Sequence, residues 1–217
     1  MFIARVLAAA TAITLCLTGT SWADRDIWVD GQNIKSKYLR VYGISLPPIG
    51  HVKFCESNPS HCVKTQKVKD DGRFTLTDQR WRELVHLNKL INKTIEPITD
   101  KELYGKIEYW TYPKNYKGDC EDYVLLKRQK LIERGWPEAS LLITVVLDEN
   151  REGHAILTVR TAQGDFILDN KNSEVLRWHQ LPYTFIKRQS FRNPRLWVSL
   201  IPDNRLRNGA RQTAMKE

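Results

Sequence analysis

No run of lysines and arginines stands in this chain, and no basic stripe interleaved with aromatics, although 34 basic residues face 25 acidic ones. That scatter excludes the usual footprint of nucleic-acid binding and leaves a basic surface suited to anionic lipid or an acidic substrate. There are no internal repeats and no linker to a second domain. The 217 residues are therefore read as one domain of ordinary size, residues 24–203, followed by a polar tail at 204–217. Long apolar runs are missing too: Val6 to Leu17 is too short to span a bilayer comfortably. With Arg5 ahead of it and Ser21-Trp22-Ala23 behind, it reads as a secretory signal peptide, residues 1–23, cut after Ala23. A retained anchor is the rival reading. Removal of the segment takes Arg5 and Cys16 with it and lowers the formal net charge of +9 by one. The expected location is the periplasm.

Cysteine is scarce as well, with four in all. Of the three left after export, Cys55 and Cys62 bracket a short polar loop, and an oxidising compartment makes them a disulfide. Cys55, His61 and Cys62 also have the chemistry of a metal site, but no fourth ligand lies nearby. Cys120 is left odd, and an unpaired cysteine in an exported protein is a candidate reactive thiol.

Cys120 sits in Gly118-Asp119-Cys120-Glu121-Asp122-Tyr123, ahead of a run of strong helix formers that closes at Gly135. Asp119 suits the N-cap, which places Cys120 in the first turn, where free N–H groups and the helix dipole favour a thiolate. The carboxylates of Asp119, Glu121 and Asp122 act the other way and raise a thiol pKa unless a cation neutralises them. A small, inert buried cysteine in a capped helix is the competing reading of this stretch alone.

Elsewhere Asp24 to Gly50 reads as an irregular arm and Lys67 to Gly72 as a charged turn. Gln79 to Ile95 has one-face helical spacing and is ended by Pro97. Asn88 and Asn92 stand beside its apolar face, equally suited to bonding nearby loops or to solvation. Asp100 to Lys117 has no period; its Tyr104, Tyr109, Trp110, Tyr112 and Tyr116 suit either packing or a substrate wall. Strands are expected at Leu141 to Leu147, His154 to Arg160 and Asp165 to Asp169, with one or two more between Pro182 and Ile201. The class is α+β, helices against an antiparallel sheet. If the Thr161-to-Gly164 turn closes the hairpin, Asp169 lies opposite Ile156 and diagonal to His154 on one face, so a carboxylate can orient the imidazole. With Cys120 over that edge the set is nucleophile, base and orienter; the alternative is a solvated histidine and a turn aspartate.

The series Gly118-Asp119-Cys120-Glu121-Asp122-Tyr123, His154-Ala155-Ile156-Leu157 and Leu168-Asp169-Asn170 resembles the bacterial transglutaminase-like cysteine proteinases. That family includes the periplasmic LapG-type proteases, which clip large surface adhesins. The resemblance covers roughly Phe54 to Leu200. It implies a papain-like, transglutaminase-like core with Cys120 as nucleophile, His154 as base and Asp169 as orienter. It also implies a calcium ion, Ca2+, held at Asp119 and Glu121 with Asp122 nearby. The implied partners are a protein substrate such as a surface adhesin and a membrane-receptor regulator. Two rival classes remain: a transglutaminase-type acyltransferase, which passes the thioester to an amine, and a non-catalytic calcium-binding docking module.

Overall fold

The computed structural model describes residues 36–63 and 72–202, together with the backbone of 27–29 and 32–34. The expected signal segment, the tail from 204 and most of the expected turn at 67–72 lie outside the described residues. Ile27–Val29 (β1) and Gln32–Ile34 (β2) pair antiparallel as a hairpin of their own.

From Ser36 the chain runs through the edge strand Gly43–Ser45 (β3), the helix Ile49–Ser57 (α1) and the long helix Asp78–Thr94 (α2). Thr77 caps α2 by accepting from the Arg80 N–H at 3.2 Å. Glu96–Pro97 (β4), the short helix Asp100–Tyr104 (α3) and Lys117–Gly118 (β5) lead into Cys120–Glu133 (α4). The strands Leu141–Leu147 (β6), Gly153–Thr161 (β7), Gly164–Leu168 (β8), Leu176–Arg177 (β9), Thr184–Ser190 (β10) and Asn193–Ser199 (β11) follow. Seven strands form one sheet in the order β3-β11-β10-β6-β7-β8-β9, every pairing antiparallel. The α+β class is as expected, and Pro182 to Ile201 holds two strands.

β6 lies mid-sheet, which is why its sequence is apolar on both faces. On the helix side Leu84, Leu87 and Ile91 of α2 and Tyr123, Val124 and Leu131 of α4 pack on Leu157 and Val159 of β7. On the other side Val146, Ile156 and Ile167 meet Leu39, Phe185 and Leu200. Adjacent residues thus serve opposite cores, as a pleated strand requires. α4 is wedged between α2 and the sheet and is buried on most of its circumference. Gly135, at φ 76°, ends it, and the N–H groups of Gly135 and Trp136 satisfy the last carbonyls.

Two helices depart from the sequence reading. Ile49–Ser57 is helical, where the sequence suggests the end of an arm and a disulfide loop. Its apolar spacing is weak and it carries Gly50, which tight packing requires: a Cβ there would come within 2.3 Å of Trp110 Cδ1. Asp100–Tyr104 is too short to show a period. It is fixed by a capping box of Thr99 and Glu102 and stopped by left-handed Gly105. Cys55 and Cys62 are joined by a disulfide, as expected. His51 is the histidine beside the bridge, while His61 meets the Tyr112 hydroxyl at 3.0 Å. Bridged sulfurs are not thiolate ligands, so the metal reading of the pair falls.

Candidate active site

Three element ends meet: the N-terminus of α4, the start of β7 and the end of β8. Cys120 opens α4 and is the free cysteine among the described residues. Its sulfur accepts from the Ala155 N–H at 3.4 Å, which sets it beside the residue that follows His154. The thiol donates to Glu121 Oε2 at 3.0 Å. Burial pushes the Cys120 thiol well up, and the Glu121 carboxylate adds to it as a like charge and as an acceptor of the thiol proton. In this arrangement the thiol proton is directed to the Glu121 carboxylate.

The β7–β8 register pairs Leu157 with Leu168, so the next pair along is Ile156 and Asp169, as read from the sequence. His154 Nε2 lies 2.8 Å from Asp169 Oδ1, and both side chains are buried. With Nε2–H given to Asp169, Nδ1 is the nitrogen left to take a proton. Asp169 is held at every acceptor: Oδ1 also receives the Lys171 N–H at 3.0 Å, and Oδ2 the Tyr183 hydroxyl at 2.8 Å. Burial raises its carboxyl, but the bonds and charge of His154, with Lys171 and Tyr183, outweigh burial and leave it below its usual range. Asn92 bonds the backbone carbonyls of Asp169 at 2.8 Å and Asn172 at 3.2 Å, and Asn88 bonds Asn172 at 3.1 Å. Those bonds choose loop-holding over solvation for the two asparagines of α2.

The carboxylates beside Cys120 form a cluster. Oxygens of Asp100, Asp119 and Glu121 lie within 4.8 Å of one another. Asp119 occupies the N-cap position of α4 but makes no side-chain cap bond, and its Oδ1 is buried without a hydrogen-bond partner. Burial, then the charges of Glu121, Asp122 and Asp100, drive the Asp119 carboxyl up to about 9. Asp122 stands next to the trio but accepts from the N–H groups of Thr111 and Asp119, latching the preceding loop to the helix. Burial raises it to about 8 against those bonds, and its Oδ2 is orphaned. Gly118 gives it room: a Cβ there would lie 2.6 Å from Asp122 Oδ2. Crowded, dry carboxylates with orphaned oxygens and only hard donors fit a cation of the calcium kind, with backbone or solvent oxygens completing the shell.

Comparison with protein families matches residues 41–205 to the bacterial transglutaminase-like cysteine proteinase (BTLCP) model. The chain belongs to the bacterial transglutaminase-like cysteine proteinases. It is accordingly a cysteine peptidase. A search of curated proteins found no match. Among solved structures, calcium-bound Legionella pneumophila LapG is 22% identical over 57% of this chain and 71% of that one, with a TM-score of 0.49. A second Legionella pneumophila LapG structure is 25% identical over 54% and 68%, with a TM-score of 0.47. An EGTA-treated one is 24% identical over 55% and 67%, at 0.46.

Beside Cys120, the His154–Asp169 pair and the Asp119–Glu121 carboxylates, the structure places three further residues. Asp100 completes the carboxylate trio, Tyr183 clamps the far side of Asp169, and Asn92 fixes the Asp169 backbone. Tyr183 also sets its ring edge-on to His154, 5.9 Å between centroids. Asn92 carried a signal as an asparagine beside an apolar helix face. Asp100 carried none, lying in a stretch without a period, and Tyr183 stood in a stretch read only as strand.

Proposed function

We propose that this proteinase is an exported, calcium-dependent endopeptidase working through Cys120, His154 and Asp169, with a periplasmic or cell-surface protein as substrate. The carrying observation is the 2.8 Å His154–Asp169 contact on a strand whose next N–H holds the Cys120 sulfur. In the reaction His154 Nδ1 takes the thiol proton and the thiolate adds to the scissile carbonyl carbon. His154 then delivers that proton to the departing amine, leaving a thioester on Cys120. A water deprotonated by His154 hydrolyses the thioester, returning the proton to sulfur and releasing the acid. The Cys120 N–H, in the first turn of α4, is one oxyanion donor. Asp169 keeps Nε2 protonated and stabilises the imidazolium.

Asp100, Asp119 and Glu121 would hold calcium, with Asp122 bracing the loop beside them. A bound calcium ion would supply positive charge at the start of α4. With Glu121 so engaged, Cys120 would lose the acceptor that now takes its proton. A large surface adhesin is the proposed substrate and a membrane receptor the proposed regulator, both from the family resemblance; the signal-like segment 1–23 supports export.

Cleavage of exported surface proteins, read by mass spectrometry in cells carrying the wild-type or Cys120→Ala protein, tests the reading. Fragments present only with wild type are the expected result; the same fragments with Cys120→Ala overturn it. Incorporation of a labelled amine in place of cleavage would identify an acyltransferase instead. Purified enzyme in EGTA should be inactive and regain activity with calcium, and full activity in EGTA would remove the metal from the proposal.

A further inference from the structure

We propose that the sheet edge formed by β3 and β11 docks this proteinase on an anionic lipid bilayer. The proposal borrows export from the reading above and owes nothing to the catalytic assignment. Ile44 is 92% exposed and Leu46 82%, and Val41, Ile49 and Leu196 are exposed as well. Arg188, Val198 and Ile44 stand abreast on β10, β11 and β3, so their side chains share one face of the sheet. It is the face of Val146 and Ile156, away from α2 and α4. One step past the Ser45–Trp197 pair, Leu196 falls opposite Leu46 on that same face. Large apolar groups gathered on a rim mark an interaction surface.

Charge says what covers it. From Ser36 to Cys55 the chain carries Lys37, Arg40 and Lys53 and no Asp or Glu. From Val175 to Pro202 it carries Arg177, Lys187, Arg188, Arg192 and Arg195, and again no Asp or Glu. Lys187 donates to the Leu46 carbonyl at 3.1 Å, and Lys53 lies one turn after Ile49 on α1, so cations flank the apolar side chains. Inward of Ile44 a cavity of about 420 Å³ is lined by Arg73, Arg160, Arg188 and Arg192 together with Val41 and Val198. Arg188 is buried and its Nη1 donates to Asp165 Oδ2 at 3.1 Å, while its Nε is buried without a hydrogen-bond partner among the described residues. The Arg160 and Arg192 guanidiniums lie 4.6 and 5.2 Å from the centroid of the Phe191 ring. Arginine donors converging beside an apolar rim fit a lipid phosphate whose acyl chains meet Ile44 and Leu46. Side chains that project as far as these can enter a fluid bilayer without a preformed groove to receive them. Arg160 lies six residues along β7 from His154, about 20 Å at about 3.3 Å per residue, so docking leaves the catalytic end of the strand free.

The test uses the calcium-loaded protein purified after export, free of the apolar run Val6 to Leu17, and vesicles of phosphatidylcholine with or without phosphatidylglycerol. The protein should sediment with the phosphatidylglycerol vesicles, stay in solution with phosphatidylcholine alone, and be partly released by high salt. Joint Ile44→Ser and Leu46→Ser substitution should weaken binding about a hundredfold or more, since two inserted aliphatic side chains are lost. Arg192→Ala should weaken it about fivefold, the share of one cation at an anionic surface. Both variants should melt as the wild type does, because the side chains they change are exposed. No sedimentation with phosphatidylglycerol vesicles, or undiminished sedimentation of the Ile44→Ser, Leu46→Ser protein, would overturn the proposal. So would a dimer in lipid-free solution that the same double substitution abolishes, which would make a second copy the occupant. Failure of the triad reading looks different, as cleavage by Cys120→Ala at the wild-type rate, and leaves vesicle binding untouched.

Discussion

Removing calcium should make the stability of this proteinase fall as pH rises from about 5 to 8, opposite to the usual trend for carboxylates. The perturbation acts on Asp119 and Asp122, whose carboxyls in the cation-free fold are pushed to about 9 and about 8, chiefly by burial. In an unfolded chain both titrate near 3.9. Well below pH 4 each group is protonated in both states and contributes nothing. Between about 4 and 8 the folded protein holds a proton that the unfolded chain has released, so raising the pH favours unfolding. One such proton is worth about 1.4 kcal/mol per pH unit and two about 3. Asp122 is fully buried, but Asp119 is partly exposed, so solvent screens its share. The slope should therefore fall between the one-proton and two-proton values. For a chain of this size that is a drop of about 3–10 °C in Tm per pH unit. Calcium should abolish the drop by supplying the missing positive charge, and at about a hundred times its Kd should add about 2.7 kcal/mol besides. The assay is a pair of thermal melts, in EGTA and in calcium, at half-unit steps from pH 5 to 8. The calcium series is the control, because histidines outside the cluster titrate alike in both. A gap between the two series that does not widen with pH would refute the account of the cluster as a set of carboxyls awaiting a cation.

Three further outcomes follow from single contacts. Asp100→Asn should weaken calcium affinity tenfold or more, since a ligand carboxylate is lost, and should narrow the melt gap; isothermal titration measures the first and the paired melts the second. Gly118→Ala should cost about 1–3 kcal/mol by overpacking, because the new Cβ meets both Oδ2 and Cβ of Asp122 at 2.6 and 2.8 Å; urea denaturation reads it, and an unchanged midpoint would count against the close approach. Asn92→Ala takes the side-chain donor from the Asp169 carbonyl, while the Asn172 carbonyl keeps Asn88, at a cost of about 1–3 kcal/mol, and should lower kcat more than it raises KM, because what it loosens is the Asp169 end of the dyad.

The sheet and the catalytic constellation were readable because they depend on short-range rules. A two-residue turn at Ala162-Gln163, between the paired Thr161 and Gly164, fixes the β7–β8 register, and that register puts Asp169 opposite Ile156. Helix α4 announced itself by its formers and by Gly135, and α2 by its apolar spacing. What failed to show was set by long-range packing. α1 is helical because Trp110 fills the space over Gly50, a contact sixty residues away in sequence. Tyr183 reaches Asp169 only because the chain returns from β9 across the end of the sheet, and no local pattern marks a tyrosine for that purpose.

Asp100 is the instructive miss, because the feature that delivers it is a ladder of only two residue pairs. β4 and β5 pair in parallel over two residues, Glu96 with Lys117 and Pro97 with Gly118, and the Ile98 N–H continues the ladder to the Gly118 carbonyl at 3.0 Å. Two strands running side by side in the same direction then reach two helix starts together, α3 at Asp100 and α4 at Cys120. Each start carries acidic residues, which suit a helix N-terminus on their own account. Brought together, they become a carboxylate cluster that neither segment would form alone. A parallel pairing leaves no turn signal in the sequence, since its strands are joined by a long crossover and not a hairpin. The acidic run at Cys120 could therefore call for a cation, while the residue that completes the cation's cage stayed hidden in a loop with no period.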